Sequence, residues 1–293
     1  MNELDINNPQ LPDFIVPGAD EKKQDEPAKI KVIGVGGGGG NAVNHMYHQG
    51  IGGVSFVLCN TDAQALRNSP VPVKVQLGAK GEGAGNIPEV AKKLAEESAA
   101  EVEALFDDNT RMAFITAGMG GGTGTGAAPV VARIAKEKGV LTVGIVTIPF
   151  LFEGEPKILQ AFAGVEEMRK HVDALLVINN ERLCKIYPDL SWTTAFAKAD
   201  DSLSNAARSI AELVSKDGKI NLDFADVRTT LKDGGAAVIS TGSGEGEHRM
   251  SRAIQNALTS PLLKESDIYG AERVLFNLYF SPEEGEELRM QES

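Results

Sequence analysis

The sequence predicts an α/β fold: a Rossmann-like parallel-sheet domain, one long central helix, and then a smaller α+β part. Three observations carry this expectation. Near-continuous apolar runs such as Val54–Cys59 and Val140–Thr147 alternate with helical patterns, as strands covered on both faces do. Glycine-rich stretches follow those runs, at Gly36–Gly40, Gly81–Gly85 and Ala117–Gly126. Trp192, Phe196, Ala199, Leu203, Ala207, Ile210 and Val214 recur at steps of three and four, the apolar stripe of a single long helix.

Taken in order, residues 1–28 combine prolines and charges with no apolar segment, and read as a disordered tail without a signal peptide or anchor. A strand over Lys29–Val35 runs into Gly36–Gly40, with a helix expected from Asn41. Val54–Cys59 and Val71–Leu77 read as further strands. A polar glycine loop at 78–86 precedes a charged helix from Pro88 to Phe106, with proline suited to its first turn. The run 111–116 is a strand, Ala117–Pro129 a loop, and Val130–Lys138 a helix. A strand at Val140–Thr147, a helix over 157–171 and a strand at Ala174–Ile178 complete the expected 29–192 domain.

The stripe then predicts a helix from Thr193 to Ser215, within a central segment 193–220. Beyond it, 221–280 holds a helix (Asp223–Lys232), a strand (Ala236–Thr241), a helix (Met250–Thr259) and a strand (Arg273–Phe280). These few elements are too small a set to stand alone, so they must lean on the first domain. Residues 281–293 form an acidic tail.

Composition bounds the function. The chain has 293 residues, 42% of them hydrophobic, enough for a sizeable core. Its net charge of −12 argues against non-specific binding to nucleic acid or an anionic membrane. Cys59 and Cys184 sit in apolar surroundings without metal spacing, as buried free thiols of a reducing compartment do. The four histidines form no ligand cluster, so no protein metal site is expected. The longest uncharged stretch, Gly139–Phe152, is shorter than the about 20 residues a bilayer needs. A soluble cytoplasmic protein without membrane insertion is expected.

The chemistry is carried by the glycines. A strand-to-helix junction free of side chains lets backbone N–H groups approach a ligand, and the positive helix end favours an anion. A flexible turn is the alternative. Gly34-Val35-Gly36-Gly37-Gly38-Gly39 also fits the dinucleotide fingerprint, so an NAD-dependent oxidoreductase stays open. Against it stand the second cradle at 117–126 and the loop at 81–85, since a triphosphate held without a P-loop lysine would spread its charge over several loops. Asp223 and Asp226 open a helix at i, i+3, where capping and polarisation of an attacking water are equally open. Asp200 lies on the apolar stripe, and a buried carboxylate there should have a partner.

Together, Gly36–Ala42, Asn60–Leu66, Gly-Gly-Gly-Thr-Gly-Thr-Gly at 120–126, Thr147–Gly154 and Asn221–Arg228 resemble the FtsZ family of tubulin-like GTPases of bacterial cell division. The resemblance runs in one order from Lys29 to Phe280. It implies a GTPase domain of tubulin type, with GTP or GDP and Mg²⁺ as ligands. It assigns Gly36, Gly37, Gly38, Gly39, Gly40 and Asn41 to GTP, with Gly120, Gly121, Gly122, Thr123, Gly124 and Thr125; of these, Gly37–Asn41 and Gly122–Gly124 would hold the phosphates. Asp62 joins this nucleotide set, Glu153 and Lys157 reach toward ribose and phosphates, and Asn180 and Asp200 face the guanine. Asn221, Asp223 and Asp226 would act on the γ-phosphate held by a neighbouring copy, so the implied partner is the chain itself, head to tail in a filament at the mid-cell division site.

Three departures from the family pattern stand out. Lys157 takes the place of the usual arginine, and the 78–86 loop is shorter, with Glu82 where a leucine is usual. The third is that the carboxyl domain stops early, before the peptide that docks membrane-associated division proteins. A GTP-binding homologue that caps or inhibits filaments is therefore the second reading.

Overall fold

The structure, a computed structural model, describes residues 29–186, 189, 191–215, 223–246, 248–259 and 270–279. Both expected tails and Asn221 lie outside the described residues.

One parallel sheet organises the chain. Its strands are β1 (Lys29–Val35), β2 (Val54–Asn60), β3 (Val73–Gln76), β4 (Thr110–Gly118), β5 (Leu141–Ile148), β6 (Ala174–Asn179) and β7 (Gly235–Ala237). They lie in the order β3-β2-β1-β4-β5-β6-β7, every neighbouring pair parallel. The alternation of each strand splits the core in two. Ile30, Val32, Met112, Phe114, Val143 and Ile145 face one side, while Ile33, Val35, Ile115, Ala117 and Val146 face the other. All eight residues of β5 are buried, as a central strand covered on both faces requires.

Helices α1 (Gly36–His48), α2 (Ala63–Arg67), α3 (Pro88–Glu97), α4 (Ala99–Ala104), α5 (Gly122–Glu137), α6 (Glu155–Arg169) and α7 (Asn180–Ile186) connect or cover the strands. They are followed by α8 (Trp192–Ser215), α9 (Phe224–Leu231) and α10 (Arg249–Leu258). The sheet face opposite α5 is closed by α1 and α8. Ala195, Ala199, Leu203, Ala206, Ala207 and Ala211 line the buried side of α8, small residues that let it lie close. His45 of α1 pairs with Asp201 at 2.8 Å, and Arg208 donates to Gln49, so α8 runs alongside α1. At a rise of about 1.5 Å per residue its 24 residues span about 36 Å. None of the described helices is long and apolar enough to cross a membrane.

Several elements depart from expectation. The glycines of both cradles are helical, since α1 begins at Gly36 and α5 at Gly122 rather than at Asn41 and Val130. Glycine is a poor helix former, but here its missing side chain allows docking that no larger residue permits. The helix expected from Pro88 to Phe106 breaks at Ser98, whose hydroxyl accepts the Gly78 N–H at 2.9 Å. Cys59 is buried, which pushes its thiol up to about 12, whereas Cys184 is only half-buried. The strand expected at 236–241 shortens to β7, which joins the main sheet beside β6. Residues 273–279 form no strand, and Val274 is 77% exposed. Apolar alternation makes a strand only where a neighbour takes its backbone groups, and the described residues supply no such neighbour there.

Candidate functional site

The strand order reverses direction between β1 and β4, whose ends lie side by side with Val35 opposite Ala117. An open parallel sheet leaves a crevice at the carboxyl ends of its strands at such a point. Both glycine cradles enter it. Gly36 adopts φ +74°, and a Cβ there would sit 2.8 Å from the Gly124 nitrogen, so glycine alone lets the two helix starts meet. An added Cβ on Gly37, by contrast, has nothing within 4 Å. Gly37, Gly40, Asn41, Asn60 and Leu66 line an open cleft of about 300 Å³ beside it.

Neither helix start is capped by a side chain: Val35 precedes α1, and Gly121 precedes α5. Two sets of first-turn N–H groups therefore converge with their positive helix ends, an arrangement suited to phosphate. The surrounding loops are tied to one another. Thr61 and Thr123 share a hydrogen bond at 2.7 Å between their hydroxyls. Gly83 N–H donates to the Thr61 carbonyl at 3.0 Å, and Ala63 N–H to that of Gly81 at 3.1 Å. This fastens the 78–86 loop to the turn after β2.

Not every predicted residue points its side chain at a ligand. Asp62 caps α2, accepting from the Gln64 and Ala65 amides at 2.7 and 3.3 Å. The Thr125 hydroxyl accepts the Gly120 N–H at 2.9 Å and closes the turn from within. Glu153 accepts from Phe150 N–H at 3.0 Å and from Lys157 Nζ at 3.3 Å, so these two predicted residues hold each other. A Cβ on Gly120 would lie 2.9 Å from the Lys157 carbonyl, which places this loop against the cradle.

Two further predicted residues, Asn180 and Asp200, carry buried or half-buried acceptor groups. Asn180, the first residue of α7, is 5% exposed, and its Oδ1 has no hydrogen-bond partner among the described residues. No side chain among the described residues pairs with the Asp200 carboxylate. Burial first, and Asp201 second, push its pKa up to about 6. A buried acceptor without a donor is costly. Phe196, one turn before Asp200, was expected in the buried stripe. Instead its ring is 41% exposed and packs at 5.2 Å from Phe150.

Asp223 and Asp226 lie elsewhere. They form a reciprocal capping box at the start of α9, both exposed. Phe224, which follows Asp223, lies under the Arg111 guanidinium at 4.2 Å, and Arg111 is the second residue of β4 while Gly118 ends it. The acids therefore lie toward the amino-terminal ends of the strands, whereas the cradles stand at the carboxyl-terminal ends. Among the described residues no three His, Cys, Asp or Glu side chains cluster to hold a metal. Thr61 and Gln160, both in contact with the cradle, were not among the predicted site residues. Thr61 lay within the flagged turn Asn60–Asp62, while Gln160 carried no local signal.

A family model described as the Tubulin/FtsZ family, GTPase domain, matches residues 29–188, and one described as the FtsZ family, C-terminal domain, matches 235–293. The chain is 65% identical over 262 residues to the cell division protein FtsZ of Porphyromonas gingivalis, covering 88% of this chain and 57% of that protein. It is 48% identical over 259 residues to that of Aquifex aeolicus, covering 87% and 70%. The chain thus spans less than two thirds of the first of these relatives. Among solved structures it resembles an empty FtsZ dimer of M. jannaschii, with TM-score 0.77, 45% identity, and 82% and 71% of the two chains covered. A GTPγS-bound protofilament of CetZ2 from Haloferax volcanii shares the fold, with TM-score 0.67 at 24% identity and coverage of 78% and 73%.

Proposed function

Because the chain belongs to the Tubulin/FtsZ family, we propose that it binds and hydrolyses GTP and assembles head to tail into filaments for cell division. The first-turn N–H groups of α1 and α5 hold the phosphates. Asn180 Oδ1 and the Asp200 carboxylate accept from the guanine edge, whose N1–H and N2–H donors adenine lacks, with Phe196 as an exposed ring nearby. The observation that carries this reading is that Phe224, between Asp223 and Asp226, packs against Arg111 near the amino end of β4, while both cradles stand at the carboxyl ends of the strands. Acids so placed cannot reach the phosphate held by their own chain. They serve a nucleotide only on another copy, stacked with its crevice against this chain's opposite edge, and such heterologous contact propagates as a filament.

In that geometry Asp223 and Asp226, with Asn221 before them, orient and polarise the water that attacks the γ-phosphate. Phosphoryl transfer depends mostly on such placement and electrostatics. Mg²⁺ would neutralise charge on the phosphate oxygens; it is commonly held by one or two carboxylates, water and the phosphates themselves, which suits a crevice without an acidic cluster. The chain divides into a nucleotide domain (29–192), a central helix and loop (193–220) and a carboxyl-terminal activating region (221–280). The chain would act in the cytoplasm at mid-cell.

Sedimentation with GTP and Mg²⁺, paired with phosphate release, tests this. Pelleting together with a rate per chain that rises with protein concentration is expected. GTP binding without either would leave the capping function instead, and NAD binding with indifference to GTP would overturn the nucleotide site.

A further inference from the structure

Gln160 stands on α6 at the wall of the crevice. Its Nε2 donates to the carbonyl oxygens of Gly120 at 3.0 Å, Gly121 at 3.2 Å and Asn86 at 3.4 Å. These carbonyls belong to two loops, the turn before α5 and the end of the 78–86 loop. Four residues on, and so on the same helical face, Gly164 brings α6 close. A Cβ there would lie 2.6 Å from Thr125 Cγ2 and 3.1 Å from Met119 Sδ. Thr125 in turn holds the Gly120 N–H at 2.9 Å.

The turn is thus gripped at both polar ends, its N–H by Thr125 and its carbonyls by Gln160. Without such a grip, glycine peptides reorient easily because no Cβ restricts them. A flipped peptide would present a carbonyl to an anion in place of an N–H. The α6 residues Ala161 and Met168 belong to the core on one face of the sheet, and the α1 residues Ala42 and Val43 to the core on the other. Carbonyls aimed at Gln160 therefore point away from the α1 terminus that shares the crevice.

We propose that Gln160 is a positioning residue for the phosphates: it turns the Gly120 and Gly121 carbonyls out of the crevice and couples the 78–86 loop to the cradle. This rests on the GTP site proposed above. Because one arm of the grip reaches the 78–86 loop, a third support for the triphosphate, its loss should weaken GTP more than GDP.

The test is fluorescent-nucleotide competition with GTP and GDP on the whole chain, Gln160→Met and Gln160→Glu, each with a thermal melt. Gln160→Glu has the same shape and no donor but adds a charge that itself repels GTP more than GDP. The GTP-to-GDP difference is therefore read from Gln160→Met, whose melt reveals any packing defect. Loss of two or three neutral hydrogen bonds predicts about tenfold weaker GTP binding and at most about threefold weaker GDP binding. Amide exchange over 78–86 should quicken in both variants. Equal losses for GTP and GDP, or unchanged affinities in a folded variant, would overturn the positioning role while leaving the site intact. Failure of the unsubstituted chain to bind GTP would overturn the site and the positioning role together.

Discussion

The Asp223 carboxylate accepts the Asp226 N–H at 2.8 Å, and the Asp226 carboxylate accepts the Asp223 N–H at 3.3 Å. Each residue caps the helix through the other, so the pair has a structural duty besides any catalytic one. Asparagine caps as well as aspartate, and alanine does not. Asp223→Asn should therefore keep the melting temperature while abolishing GTP hydrolysis. Asp223→Ala should lose hydrolysis and also about 1 kcal/mol of stability. GTP affinity should be unchanged in both. A collapse of affinity in a folded Asp223→Asn would place the residue in its own chain's site and refute action on a neighbour.

Asp200 gives a pH signature. Its folded pKa of about 6 lies above the ordinary 3.8, so between these values the folded chain keeps a proton that the unfolded chain has released. Its unfavourable contribution is absent below about pH 3.8 and complete above about pH 6. Without nucleotide, Asp200→Asn should stabilise the chain at pH 7.5 by on the order of 1 kcal/mol, partial exposure reducing the full effect. That gain should shrink as the pH falls through 6. GTP affinity should behave oppositely, dropping from pH 7.5 to 5.5 as the carboxylate acceptor is lost. Asp200→Asn should bind GTP modestly more weakly at pH 7.5, with a flattened pH profile; an unchanged preference for GTP over ATP in Asp200→Ala would remove Asp200 from the base end.

Gly36 and Gly37 are adjacent and should respond differently. Alanine at Gly36 meets the Gly124 nitrogen at 2.8 Å and must adopt φ +74°, together costing roughly 2–4 kcal/mol. A melt should show a loss of that size. Alanine at Gly37 meets nothing within 4 Å, so folding should be unharmed or slightly improved, by about 0.5 kcal/mol. Nucleotide affinity should still fall, because that open side is where the phosphates approach. Equal melts for the two variants would contradict the packing of the cradles.

Thr61 and Thr123 join the turn after β2 to the second cradle through hydroxyls 2.7 Å apart. Thr61→Val keeps the shape and removes the bond, leaving Thr123 Oγ1 without this partner. A stability loss of about 1 kcal/mol is expected, with faster amide exchange at 81–83, which hang from the Thr61 region. Slower GTP turnover should accompany it. Unchanged exchange at Gly83 would show that its own bond to the Thr61 carbonyl suffices.

Much of this architecture is written in local patterns. The apolar runs at Val54–Cys59 and Val140–Thr147 name buried parallel strands, and the stripe from Trp192 to Val214 names the central helix. Their side-chain periods are properties of a few neighbouring residues, so a sequence displays them. The glycine cradles were legible for the same reason, since strand, glycines and helix follow one another in the chain. Their helical state was not. Gly36–Gly40 and Gly122–Gly126 lack helix propensity, and only docking against other backbone holds them in that form. At 273–279 the converse holds: the alternation was plain, but a strand also needs a neighbour.

The sequence by itself determined the order of strands and helices, the anion cradles, and an out-of-place carboxylate at Asp200. Tertiary structure alone decided that Gly36 abuts Gly124, and that Gln160 grips carbonyls forty residues earlier in the chain. It alone decided that Phe196 turns outward and that Asp223 stands toward the amino ends of the strands. The physical reason is reach. Side-chain period and helix-end polarity act over one or two turns of chain, whereas close packing and hydrogen bonds join whatever the sheet brings together, regardless of separation in sequence.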